Sequence, residues 1–118
     1  MSNQIAWVLQ LDILEGQLDA FKTLMNEMVD ATQSNEPDTL GYEWWISDDN
    51  SSCHIYERYT NSEAVMVHLT AFGAFAERFM SCASPTGFTV YGNPDETVKA
   101  ALTDFGPNYM GALGGYHR

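Results

Sequence analysis

Apolar residues alternate strictly at Ile5, Trp7, Leu9, Leu11 and Ile13, while Ala6, Val8, Gln10, Asp12 and Leu14 between them are mixed. That spacing predicts a strand with one buried face and a second, partly covered one. Glu15-Gly16 breaks it, and from Gln17 the period lengthens. Leu18, Phe21, Leu24, Met25, Met28 and Val29 fall on one helical stripe running to about Gln33. The polar run Ser34-Asn35-Glu36-Pro37-Asp38 stops this helix, because proline disfavours helical backbone in the residue before it. Two alternating runs then flank Asp48-Asp49-Asn50-Ser51, a turn by composition. In the first run Leu40, Tyr42, Trp44 and Ile46 face one way, and Thr39, Gly41, Glu43, Trp45 and Ser47 the other. In the second, Cys53, Ile55, Glu57 and Tyr59 oppose His54, Tyr56 and Arg58. Both faces carry aromatics, whereas a half-solvated sheet shows one clean polar face. Helices are expected over one face and a second copy of the chain over the other.

Thr60, Asn61 or Ser62 caps the next helix, and Thr60 with Glu63 has capping-box spacing. Its inner stripe is Val65, His68, Leu69, Phe72, Phe75 or Ala76, and Phe79, with Gly73 placed to kink or split it. Ser84-Pro85 ends the segment. Phe88, Val90 and Gly92, alternating with Thr89 and Tyr91, predict a fourth strand. Asn93-Pro94 reads as N-cap and first helical residue, with Asp95 and Glu96 in the first turn. Val98, Ala101, Leu102 and Phe105 make that helix amphipathic, and Gly106-Pro107 stops it. Asn108 to Arg118 has no period and is expected to form an arm over a pocket or over a partner. The order βαββαβ predicts an α+β, ferredoxin-like sandwich: an antiparallel sheet with helices on one face. One domain is expected over 1–118, with a core at about 5–92 and an added helix and arm at 93–118.

Composition narrows the partners. Sixteen acidic against five basic residues give a net charge of -11, which repels phosphate backbones and anionic lipid. Nucleic acid and membrane surfaces are therefore excluded as expected partners. No apolar run approaches the ~20 residues of a membrane-spanning helix. The first residues lack a basic segment and reach Asp12 early, unlike a secretory signal. Two cysteines, Cys53 and Cys82, make no disulfide framework and suit a reducing compartment. The expected location is cytoplasmic. His54, His68 and His117 form no ligand motif, and no phosphate loop, nucleophile elbow or CxxC occurs. No metal and no cofactor is expected.

Two residues stand out chemically. His68 lies on the apolar stripe of its helix, where it is either a core imidazole bonded to a carbonyl or a proton-handling group. Glu57 shares a strand face with Cys53, Ile55 and Tyr59, and a carboxylate there is costly unless paired. It is either a structural partner of a nearby donor or the group that orients His68. Burial lowers the pKa of an imidazole and a neighbouring carboxylate raises it, so His68 is expected near neutrality.

The segments LGYEWW, IYERYTNSEAVMVHL and FTVYG resemble the antibiotic biosynthesis monooxygenase-like domains, over roughly Ile5 to Gly92. The features shared are Gly41 and Tyr42 after a Pro-containing turn, Glu57 before an aromatic residue, and His68 in the helix that opens Ser62-Glu63-Ala64. The resemblance implies a dimeric α+β barrel in which two sheets pack face to face. Its members include cofactor-free oxygenases of quinols and anthrones, haem-degrading oxygenases and an isomerase, so the fold does not choose the chemistry. Haem-degrading relatives carry a histidine late in the second helix, where this chain has Ala76-Glu77-Arg78-Phe79, so haem is not expected. The resemblance implies a homodimeric, cofactor-independent monooxygenase that combines O2 with a small electron-rich aromatic, quinol-like or enol substrate. His68 would be its base, Glu57 the orienting group, and Tyr42, Trp44, Tyr59 and Phe72 substrate-binding residues. Alternatives on the same scaffold are an isomerase of a small hydroxy-ketone and a non-catalytic ligand-binding dimer.

Overall fold

The computed structural model describes residues 3–118. Strand β1 (Ile5–Ile13) lies at the centre, paired antiparallel with β3 (Ser52–Tyr59) on one side and β4 (Ala83–Tyr91) on the other. Strand β2 (Thr39–Ile46) adds to β3 as a hairpin partner, and β5 (Asn108–Met110) adds parallel to β4. The sheet order is β2-β3-β1-β4-β5. Helices α1 (Leu18–Asn35), α2 (Ser62–Phe72), α3 (Ala76–Cys82) and α4 (Glu96–Leu102) complete the α+β, ferredoxin-like fold, with a short 3₁₀ turn at Thr103–Phe105.

The alternation explains the packing. Ile5, Trp7, Leu9 and Leu11 of β1, Cys53, Ile55 and Tyr59 of β3, and Phe88 and Val90 of β4 are buried on one face. Phe21, Leu24 and Met28 of α1, Val65 of α2, Phe79 of α3, and Val98 and Leu102 of α4 are buried with them in one core. On the opposite face Trp45 is 60% exposed and Tyr91 41%, beside exposed His54. That open face is where a second copy was expected.

Several boundaries differ from the sequence reading. Gly73 to Phe75 do split the long helix into α2 and α3. Asn61 is the cap of α2, its side chain accepting from the backbone N–H of Ala64 at 3.0 Å. Strand β4 begins at Ala83 rather than after Pro85. The proline sits opposite Leu11 beside a register shift, where its missing N–H is tolerated. The cap of α4 is Asp95, whose carboxylate accepts from Val98 N–H at 2.9 Å, so Asn93 and Pro94 lie before the helix. The aperiodic tail contains β5, three residues too short to show a period. Gly92 makes the turn between β4 and α4 at φ +112°, and a Cβ there would lie 2.8 Å from the Gln4 carbonyl oxygen. Its N–H donates to the Met110 carbonyl at 2.9 Å, which ties the C-terminal segment to the sheet edge.

Candidate active site

His68 is the centre of a buried polar cluster. Helix α2 starts at its Asn61 cap and turns Ala64, Val65 and His68 inward. The imidazole meets a carboxylate at each nitrogen. Nε2 lies 3.1 Å from Glu57 Oε1, and Nδ1 lies 2.8 Å from Glu36 Oε1. All three residues are buried, at 4 to 6% exposure.

Each carboxylate is placed by its own element. Glu57 projects inward from β3, opposite Trp7 on β1 and Tyr42 on β2. The hydroxyl of Tyr59, the next inward residue, donates to Glu57 Oε1. Glu36 follows the last turn of α1. Its backbone N–H donates to the Thr32 carbonyl at 2.9 Å, and its Oε1 accepts from the Thr39 hydroxyl at 3.1 Å. The rings of Tyr42 and Tyr59 stand against the imidazole at centroid distances of 5.1 and 5.4 Å.

This surrounding sets the charge. Burial alone lowers the pKa of His68, but hydrogen bonding and charge from Glu57, then charge and hydrogen bonding from Glu36, outweigh it, so the net shift is upward. The sequence-based expectation considered one carboxylate; the second adds to the upward pull. Burial, and then the charge of Glu57, pushes both the Tyr42 and Tyr59 phenols far above the ordinary tyrosine value, so both stay neutral. With each ring nitrogen facing a carboxylate oxygen, the imidazole has no lone pair free for a metal. Among the described residues no group of three or more His, Cys, Asp or Glu is arranged to hold one.

Two cavities meet at His68. The front one, about 40 Å³, has Glu57 and His68 as its polar members and walls of Trp7, Leu9, Leu69, Phe72, Phe88, Leu102 and Phe105. The back one, about 50 Å³, is lined by Thr32, Asn35, Glu36, Tyr42, Ala71 and Phe75 among others. Of the residues singled out from the sequence, His68, Glu57 and Tyr59 come together, and Phe72 borders both cavities. Tyr42 borders the back cavity rather than the front one. Tyr59 is fully enclosed and reaches a ligand space only through Glu57. Trp44 lines neither cavity; it packs on Phe21, Phe79 and Tyr42.

Sequence reasoning missed Glu36, which reads as one more polar residue in a helix stop, 32 positions from its partner. It also missed that the C-terminal segment builds the front cavity through Leu102 and Phe105. The amphipathic pattern of that segment marked Leu102 and Phe105 as inward-facing, but not what they face.

Comparison with known proteins agrees with this architecture. MupZ from Pseudomonas fluorescens superposes with a TM-score of 0.88 at 22% identity, covering 100% of this chain and 91% of its own, C-terminal helix and arm included. SnoaB from Streptomyces nogalater, a cofactor-independent oxygenase, gives 0.66 at 12% identity over 80% of this chain and 96% of its own. A conserved protein from Methanosarcina mazei gives 0.67 at 14% identity over 75% and 90%. No curated protein sequence matches the chain. The family model for antibiotic biosynthesis monooxygenase matches residues 5–78, well over half the chain. The chain belongs to the antibiotic biosynthesis monooxygenase family.

Proposed function

We propose that this protein is a cofactor-independent monooxygenase of a small electron-rich aromatic, of the anthrone or quinol type. The observation that carries the reading is a buried imidazole, braced by carboxylates, opening on an aromatic-walled apolar cavity. Family membership and the fold shared with the oxygenase SnoaB support it.

The Glu57–His68 pair takes a proton from an acidic C–H or O–H of the substrate. The resulting anion passes one electron to O2, and the radical pair closes a C–O bond. For a CH2 centre the hydroperoxide then loses water: one oxygen stays as C=O, and the other leaves as water with the two substrate hydrogens. The substrate is the reductant, O2 the oxidant, and the protein supplies proton transfer and a dry cavity. A cavity of about 40 Å³ holds water-sized bodies, so a ring enters by displacing wall side chains. Phe105, 39% exposed, is the wall residue freest to swing out. Tyr42 and Trp44 act behind this wall, as ring support for His68 and as core. The protein works in the cytoplasm as a homodimer, the open sheet face with Trp45 and Tyr91 meeting its twin.

The test is oxygen uptake with an anthrone such as dithranol, in the wild type and in His68→Gln. The reading requires enzyme-dependent uptake, one O2 per substrate, falling on the order of 100-fold or more in the folded variant. Turnover of the variant within a fewfold of wild type removes His68 from the chemistry. No uptake, with an α-hydroxy-ketone isomerised in the absence of O2, favours the isomerase, for which an imidazolium beside a carboxylate is equally suited.

A further inference from the structure

The front cavity is walled by apolar side chains, so a proton taken from a substrate lying in it has no polar route past that substrate. The other side of the imidazole does offer one. Glu36 Oε1 sits 2.8 Å from Nδ1, and Glu36 borders the back cavity, whose rim residues Asn35 and Ala71 are exposed. His68 is thus the shared wall of an apolar cavity and a polar one.

We propose that Glu36 is the distal member of a proton relay, Glu57–His68–Glu36: as Glu57 takes the substrate's proton in the front cavity, the Nδ1 proton of His68 passes through Glu36 to water in the back cavity, and one returns by the same path when Glu57 gives its proton to the peroxide. It rests on the proton abstraction proposed above. The groups facing the imidazole are Glu57 and Tyr59 from β3, Tyr42 from β2 and Glu36 from the end of α1. The resting array has both carboxylates ionised and a proton on each ring nitrogen. On abstraction the substrate X–H bond breaks and an O–H bond forms on Glu57, while the Nδ1–H bond breaks and an O–H bond forms on Glu36. The three protein groups are then neutral, and the negative charge has moved onto the substrate. Glu36 hands its proton to water in the back cavity, a space large enough for a few waters at about 50 Å³. When the peroxide anion forms, Glu57 gives it the substrate's proton and a proton from water returns through Glu36 to Nδ1, which restores the resting array. The Thr39 hydroxyl, 3.1 Å from the same Glu36 oxygen, holds the carboxylate on line with Nδ1.

The test needs no substrate. Exchange of the His68 Nδ1 proton with water is followed by NMR on ¹⁵N-labelled protein at about pH 5.5, where both ring nitrogens carry protons. Glu36→Gln keeps an acceptor for Nδ1–H but cannot carry the proton. A relay predicts exchange slower by at least about tenfold, with Glu36→Asp exchanging faster than Glu36→Gln. A merely structural hydrogen bond predicts the reverse, since weakening it exposes the proton; unchanged or faster exchange in Glu36→Gln overturns the relay. Ala31→Leu, which fills the back cavity and leaves Glu36 intact, also slows exchange if the relay holds, and decides the matter should Glu36→Gln fail to fold. Slowed exchange without anthrone oxidation leaves the relay standing and sinks the oxygenase reading, while oxidation with unaffected exchange does the opposite.

Discussion

Replacing Tyr59 with Phe deletes one hydroxyl and leaves the packing in place. The ring is fully enclosed, 4.8 Å from Trp7 and 5.4 Å from His68 between centroids, and Phe keeps both contacts. What is lost is the hydrogen bond to Glu57, a residue only 4% exposed. A hydrogen bond to a charged group contributes about 1.5–3 kcal/mol, and the carboxylate left behind stays buried, which places the loss in the upper half of that range. An unfolding entropy of ~2.1 cal/mol/K per residue near 60 °C gives ~250 cal/mol/K for a chain of this length. The melting temperature of Tyr59→Phe should therefore fall by about 9–12 °C. The assay is thermal unfolding by circular dichroism at pH 7 and fixed protein concentration, with Tyr56→Phe, half-buried on the opposite sheet face, as the control. A fall of less than about 2 °C would refute the picture of a charged Glu57 held by its donors.

Stability should depend on pH through His68. Its folded pKa lies above the ordinary imidazole value, so the contribution is fully present below about pH 6.5 and is lost as pH rises through the folded value. Urea midpoints should fall between pH 6 and 9, and fall less in Glu36→Gln; a flat wild-type profile contradicts the charged cluster. Trp45→Glu places charge on the open sheet face, on its edge strand β2, and should turn a homodimer into a folded monomer by sedimentation; a monomeric wild type at micromolar concentration removes the dimer. Leu102→Ala, truncating a side chain 1% exposed beside the front cavity, should cost about 2–5 kcal/mol, with part of it recovered on adding benzene; no effect of benzene would mean the space collapses.

Much of the fold could be read from the chain because its faces are chemically distinct. The alternation Ile5, Trp7, Leu9, Leu11 and the stripe from Phe21 to Met28 are period signals, and the structure buries those same positions. Short or exceptional pieces were illegible for physical reasons. A proline opposite a bulge does not look like strand, and three residues at Asn108–Met110 carry no period. The site was half legible. Glu57 and His68 stand out because charge on an apolar face needs a partner. Glu36 does not, since a carboxylate beside Pro37 at a helix end is ordinary at the surface. Only the return of the chain through the Thr39–Tyr59 hairpin brings α2 over it. The upward pull on the His68 pKa was half legible for the same reason, since one of the two carboxylates that cause it was not seen in the sequence.

All the chemistry proposed above turns on His68 lying between two buried carboxylates that raise its pKa. A pH titration of the His68 ring signals by ¹⁵N NMR, on wild type, Glu36→Gln and Glu57→Gln, tests it most directly. The wild-type midpoint should lie above 6.5 and fall with either substitution. A wild-type midpoint at or below 6.5, or one that neither substitution moves, would contradict it.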